Sequence, residues 1–195
     1  MIFGVLAALV ASYFAGTTPS AIVIARSKGI DITTFGSGNP GASNVARALG
    51  MKWGAMVFAL DAAKGAIPVA IALAWSRPLA YGCAAAAIVG HIFPVTRGFK
   101  GGKGIATGGG VLLPLHPPVM LGAATFWLIT AKLTKKASLA SIVVVPLVMI
   151  ALAVIGTPAW EIFAMIGLGV LIEIRHVSNI KRLLRGTEHA VTRDA

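Results

Sequence analysis

Long apolar stretches alternate with short polar ones along all but the C-terminal end of the chain. The apolar stretches cover residues 2–25, 51–75, 79–95, 105–131, 137–155 and 159–174. Most approach or exceed the roughly 20 residues that an α-helix needs to cross a bilayer. The first is interrupted by Thr17, Thr18, Pro19 and Ser20, and the fourth by Pro114, Pro117 and Pro118. The third is rich in alanine, which suits close helix packing in lipid. Period-2 alternation is absent and no internal repeat is visible. The pattern predicts an all-α integral membrane protein.

Composition agrees. Of 195 residues, 57% are hydrophobic and only 12% charged, about half the charge of a soluble domain. The size fits one transmembrane domain spanning residues 1–195. The formal charge of +11 points to anionic lipid surfaces and topology. Aromatic and basic residues are not interleaved on any exposed stretch, so nucleic acid is not an expected partner. The single Cys83 lies in an apolar segment and reads as a small packed hydrophobe. The first apolar run is too long for a signal-peptide core and no basic region precedes it.

The proline break sets the expected topology. If the polar stretches 26–50 and 96–104 are cytoplasmic, the cluster Lys132, Lys135 and Lys136 shares their side only when residues 105–131 cross and return. Those residues span about 40 Å as helix, less than two crossings of a core of about 30 Å, so two short or shielded helices are expected. This predicts a bundle of about seven helices, N-terminus outside and C-terminus inside. Fifteen of the seventeen Lys and Arg residues then face inward, all but Lys64 and Arg77. A five-segment arrangement would put the 132–136 cluster outside, against the positive-inside rule. The cytoplasmic parts would be loops near 26–50, 96–104 and 132–137 and the tail 175–195.

Residues 97–104, Arg-Gly-Phe-Lys-Gly-Gly-Lys-Gly, combine four glycines with three cations. Glycine runs let backbone approach a ligand, and successive N–H groups can form an anion nest beside cations. The pattern is not a P-loop, because Gly104 follows Lys103 and Arg97 occupies the first glycine position. A basic loop that only fixes topology would explain the cations but not the glycines. Residues 36–41 fit G-x-G-x-x-G by letter, yet lie between two spans and include Pro40, so a dinucleotide site is not expected.

Asn39 and Pro40 instead predict a helix start, with the helix running to Leu49 and stopping at Gly50. Ser37 would sit beside that N-terminus, an anion site, and Ser43, Asn44 and Arg47 would share a face. A surface helix with Arg47 snorkelling is the plainer alternative. His176 and Asn179 are spaced i, i+3 on an expected helical continuation of the last span, with Arg175, Asn179 and Arg182 on another face. Asp61 and Lys64, also i, i+3, read equally well as a buried ion pair bracing two helices. His116 lies among prolines and receives no role. His189 and Asp194 have an acyltransferase-like spacing, but at a terminus with nothing after it to build a pocket. No metal site is expected from the scattered His and Cys residues.

The stretches GSGNPGASNVAR (36–47), GHIFPVTRGFKGGKGIAT (90–107), SLASI (138–142) and HVSNIKRLLRGTEH (176–189) resemble the acyl-phosphate-dependent glycerol-3-phosphate acyltransferase family of bacterial membranes, the PlsY family. Ser43 stands where many relatives carry Thr. The resemblance implies transfer of a fatty acyl group from acyl phosphate to the sn-1 hydroxyl of glycerol 3-phosphate, giving lysophosphatidic acid and phosphate, the first step of phospholipid biosynthesis. It implies a seven-helix protein of the bacterial inner membrane with its active site on the cytoplasmic face. No cofactor or metal is implied. Carried over by position, Ser37, Arg47, Lys103, His176 and Asn179 form the catalytic group. Gly101, Gly102 and Gly104 would shape the phosphate nest, and Ser43, Asn44 and Ser141 would be further substrate contacts. Glycerol 3-phosphate, acyl phosphate and membrane lipids are the expected partners, and a soluble enzyme that makes acyl phosphate is a candidate partner.

Acyl phosphate is already activated, so positioning and charge stabilisation suffice for much of the catalysis. His176 and a substrate phosphate oxygen are both candidates to take the hydroxyl proton. A transporter or channel for phosphate esters is the competing class, although transporters place substrate near the midplane between repeated halves.

Overall fold

The computed structural model describes residues 2–191 and is all-helical over them. The elements in chain order are α1 (Ile2–Thr17), α2 (Ser20–Arg26), α3 (Ala42–Leu49), α4 (Met51–Leu73), α5 (Arg77–Ile92), a 3-10 turn (Val95–Arg97), α6 (Ile105–Leu115), α7 (Pro117–Thr134), α8 (Ala137–Val154), α9 (Ala159–Ile174) and α10 (Val177–Leu184). Among the described residues, four stretches are long and apolar enough to cross a membrane: Ile2–Arg26, Met51–Leu73, Arg77–Arg97 and Ala137–Val154. The chain packs as two compact units, Met1–Leu115 and His116–Ala195.

In the first unit, α1 packs on α5 and α4 on α6, through glycines that let backbones touch. A Cβ at Gly16 would strike the Ala87 carbonyl, and one at Gly90 the Tyr13 carbonyl. Gly65 and Gly110 play the same part against Thr107 and Ala62. Lipid offers no hydrophobic drive between helices, so this van der Waals proximity holds the crossings. The break at Pro19 separates α1 from α2 and leaves the Thr18 carbonyl outside the helix ladder. Lys64 Nζ donates to that carbonyl at 3.0 Å and pairs with Asp61 at 2.8 Å, both side chains being buried. Asp61 and Lys64 are therefore the helix-bracing pair that their spacing allowed.

In the second unit, α7 packs on α8 and α8 on α9. The proline-rich break falls at His116 (φ −144, ψ 68), with Pro117 as the first residue of α7 and Pro114 inside α6. The two expected short helices are unequal. The 11 residues of α6 extend about 16 Å and the 18 of α7 about 27 Å, because α7 runs on past Ala131 to Thr134. His116 is not an idle loop residue. Its Nε2 lies 3.3 Å from Oε2 of Glu161 in the first turn of α9, and both are buried.

Candidate active site

The first motif is folded around Asn44. Its Nδ2 donates to the carbonyls of Ile32 (3.2 Å) and Phe35 (2.9 Å). Its Oδ1 accepts from the Ser37 N–H (3.3 Å) and from Nη1 of Arg47 (3.4 Å). Asn44 is 2% exposed, so its amide is spent on holding the loop and the guanidinium in place. The Ser37 backbone and the Arg47 guanidinium thus meet on one amide oxygen, and Asn44 and Arg47 share a face as their i, i+3 spacing predicts. Ser43 sits half-buried one residue earlier. At the head of the loop, the Thr33 hydroxyl and then its N–H hold the exposed Asp31 carboxyl below the usual carboxylate range.

The helix of this motif starts later than its sequence suggests. Gly41, in extended conformation, occupies the N-cap of α3 and no side chain caps it. Asn39 lies outside, where its N–H reaches the Ser37 hydroxyl at 3.4 Å and its carbonyl accepts from Gly41 at 3.0 Å. The stop at Gly50 (φ +94) is where the sequence placed it.

The glycine loop is built differently from a nest. The N–H groups of Gly101 and Gly102 donate to the carbonyls of Ile92 and His91, each at 3.1 Å. They therefore tie the loop to the end of α5 and do not point at a ligand. Close packing explains both residues: a Cβ at Gly101 would strike those same carbonyls, and one at Gly102 the His91 imidazole. Gly104 differs, with φ +93 immediately before α6. The first-turn N–H groups of α6 have no acceptor within the helix, and half-buried Lys103 precedes them. Pro40 of the first motif and Gly102 border one small polar cleft with Arg97 and His91.

In the second unit, His176 is 2% exposed and its Nδ1 lies 2.9 Å from the Ile172 carbonyl one turn earlier. A carbonyl only accepts, so Nδ1 carries the proton and Nε2 is the basic nitrogen of the neutral ring. The helix is interrupted here, contrary to expectation: α9 ends at Ile174, and His176 is the N-cap of α10. Asn179, 3% exposed, donates from Nδ2 to Oε1 of Glu188 at 2.9 Å. Nε of Arg182 donates to Oε2 of the same carboxylate at 2.9 Å. Glu188 was missed by the sequence reading. The signal was present in its place within the 176–189 motif, but its partners lie six and nine residues away across a turn. Ser141 bonds within its own unit, donating to the Ala137 carbonyl (2.8 Å) and accepting from Nε1 of Trp127 (2.9 Å). It joins α7 to α8. Among the described residues no group of His, Cys, Asp and Glu could hold a metal. Asp194, of the His189–Asp194 pair, lies outside the described residues.

The family model for glycerol-3-phosphate acyltransferase matches residues 6–186. The chain belongs to this family. The glycerol-3-phosphate acyltransferase of Aquifex aeolicus is 42% identical over 184 residues, covering 91% of this chain and 94% of that one. That of Brucella anthropi is 41% identical over 185 residues, covering 94% and 92%. A crystal structure of PlsY, an integral membrane glycerol 3-phosphate acyltransferase, in its glycerol 3-phosphate form superposes with a TM-score of 0.92. It is 41% identical and covers 96% of this chain and 95% of that one. Its lysophosphatidic acid form superposes with a TM-score of 0.90. Like those family members, this chain is a multi-pass membrane acyltransferase of the PlsY family.

Proposed function

We propose that the protein transfers a fatty acyl group from acyl phosphate to the sn-1 hydroxyl of glycerol 3-phosphate. The hydroxyl oxygen attacks the acyl carbonyl carbon, and the carbon–oxygen bond to phosphate breaks. Phosphate leaves with the bonding electrons, and the product is 1-acylglycerol 3-phosphate. The observation that supports this reading most is the buried His176, whose Nδ1 is held by the Ile172 carbonyl, leaving Nε2 as the basic nitrogen of the neutral ring. Arg47 and Lys103 hold phosphate, the first as a planar two-pronged donor and the second as a point charge. Ser37 supplies a hydroxyl beside Arg47, Ser43 contacts substrate one turn before Arg47, and Gly104 opens the start of α6 to an anion. The hydroxyl proton goes to Nε2 of His176 or to a substrate phosphate oxygen.

On this reading the chain crosses the bacterial inner membrane about seven times, N-terminus outside, with the chemistry at the cytoplasmic face. Its acyl phosphate comes from a soluble enzyme. The test is purified protein in a bilayer given acyl phosphate with and without glycerol 3-phosphate, following phosphate and lysophosphatidic acid. Equal release of both, dependent on glycerol 3-phosphate, is expected. Acyl transfer from a thioester donor and none from acyl phosphate would overturn the donor assignment.

A further inference from the structure

Three successive carbonyls at the C-terminal end of α5 each accept a hydrogen bond from outside the helix. A helix leaves its last carbonyls without intrahelical partners. Here Gly102 N–H serves the His91 carbonyl and Gly101 N–H the Ile92 carbonyl, each at 3.1 Å. The third carbonyl, that of Phe93, takes its bond from α1. The Oη of Tyr13 donates to it at 2.8 Å, and the same oxygen accepts the Val95 N–H at 3.0 Å. One hydroxyl therefore spans Pro94, which is buried and has no N–H of its own.

These bonds close the glycine loop at both ends. Gly101 and Gly102 tie the far end to α5, and Tyr13 ties the near end to α1. Between them the Pro94 carbonyl accepts from Arg97 (3.0 Å) and Phe99 (2.9 Å). The chain reverses through two left-handed residues, Gly98 (φ +56) and Phe99 (φ +63). That conformation is unfavourable for a residue with a side chain, so Phe99 keeps it only while its surroundings hold it. Lys103 follows Gly102 directly, so the loop fixes its place. A tyrosine in a membrane helix commonly lies at headgroup level with its hydroxyl toward water. Tyr13 instead directs both its donor and its acceptor at backbone.

We propose that Tyr13 is a positioning residue for the phosphate site: its hydroxyl holds the start of the glycine loop and, through the loop, Lys103. The proposal rests on the reading that Lys103 meets phosphate. Without the hydroxyl, the Phe93 carbonyl and the Val95 N–H lose their partner together. The loop is then fastened at its glycine end alone, and the Lys103 ammonium is less well placed for an anion.

Tyr13→Phe removes the hydroxyl and keeps the ring. Two measurements on purified protein in a maltoside detergent test it without turnover. Hydrogen exchange reads the loop: the amides of Val95, Gly101 and Gly102 should exchange at least about fivefold faster, with those of α8 unchanged. Phosphorus NMR reads the site: the Kd of inorganic phosphate should rise about fivefold or more. In a Lys103→Ala background the same substitution should change that Kd less than about twofold, because the cation that the loop positions is gone. Faster exchange at Val95 alone would overturn the proposal, as would a parental Kd in Tyr13→Phe while Lys103→Ala weakens phosphate. An equal fold-change of Kd in both backgrounds would also overturn it, since that marks a general loosening. Phosphate binding by Lys103→Ala as tight as the parent's would sink the phosphate reading; the exchange pattern alone then upholds or overturns the loop clamp.

Discussion

Gly102 is seated on the imidazole of His91 and donates its N–H to the His91 carbonyl at 3.1 Å. The contact makes the glycine loop an extension of the end of α5. Gly102→Ala should therefore act on packing first, displacing the loop and lowering both thermal stability and kcat/KM. In a double-mutant cycle with His91→Ala, which removes the colliding ring, the stability cost of Gly102→Ala should shrink. An alanine variant as stable as the parent, with only the KM for glycerol 3-phosphate raised, would return Gly102 to a phosphate role.

Asn44 satisfies two carbonyls, one N–H and one guanidinium while buried. Asn44→Ala leaves those backbone groups unpaired, at roughly 1–3 kcal/mol for each that water cannot reach. Thermal unfolding should show a loss of at least about 2 kcal/mol, whereas Ser43→Ala, at a half-buried position, should be within about 0.5 kcal/mol of the parent. Equal stability of Asn44→Ala and parent would mean that the loop is held by something else.

Arg47 and Lys103 are assigned to phosphate, and the 132–136 cations to membrane orientation. Arg47→Lys keeps charge but loses the two-pronged geometry, and Lys103→Ala leaves a ligand charge unpaired. Each should lower kcat/KM about a hundredfold or more, at tenfold per 1.4 kcal/mol. The control is Lys132→Ala, because Lys135 occupies a left-handed φ of +59 and would mix backbone strain into the result. Lys132 is exposed, and a headgroup contact is worth about 1 kcal/mol, so its loss should cost a few-fold at most. Comparable damage from Lys132→Ala would erase the division.

His176→Gln keeps a side-chain amide near Ile172 but removes the titrating base. If the imidazole takes the proton, kcat should fall by at least about a hundredfold and the acid limb of its pH profile should vanish. An unchanged limb with modest loss would assign the proton to the substrate phosphate.

Topology can be read by thiol labelling in intact cells carrying Cys83→Ala. His116 is buried against Glu161, so the exposed neighbour Pro118 is the better outer probe. Pro118→Cys should react from outside, and Lys100→Cys and Lys135→Cys only after permeabilisation. Reaction at 135 from outside would remove two crossings from the proposed seven.

Much of the candidate site was legible in the sequence, because its cations, glycines and polar side chains stand out against apolar surroundings. Lys103, Arg47, His176 and Asn179 became candidates that way, and the Asp61–Lys64 pair was read from its helical spacing. What those residues do with their hydrogen bonds was not legible. Asn44 and Ser141 are the same residue types whether they face a substrate or a carbonyl of their own chain.

The long apolar helices were legible in the sequence alone, because in a bilayer a backbone must satisfy itself and long apolar runs have one way of doing so. The breaks at Pro19 and near Pro117 followed from a missing N–H and a fixed φ. Tertiary structure alone decided the rest. Gly101 and Gly102 are glycines because α5 ends against them, which no local pattern records. Glu188 reaches Asn179 and Arg182 only because the chain turns at Gly186 (φ +70) and brings the carboxylate back over α10. Burial then commits each of these groups to the partner that the fold places beside it, since an unpaired polar group away from water is costly.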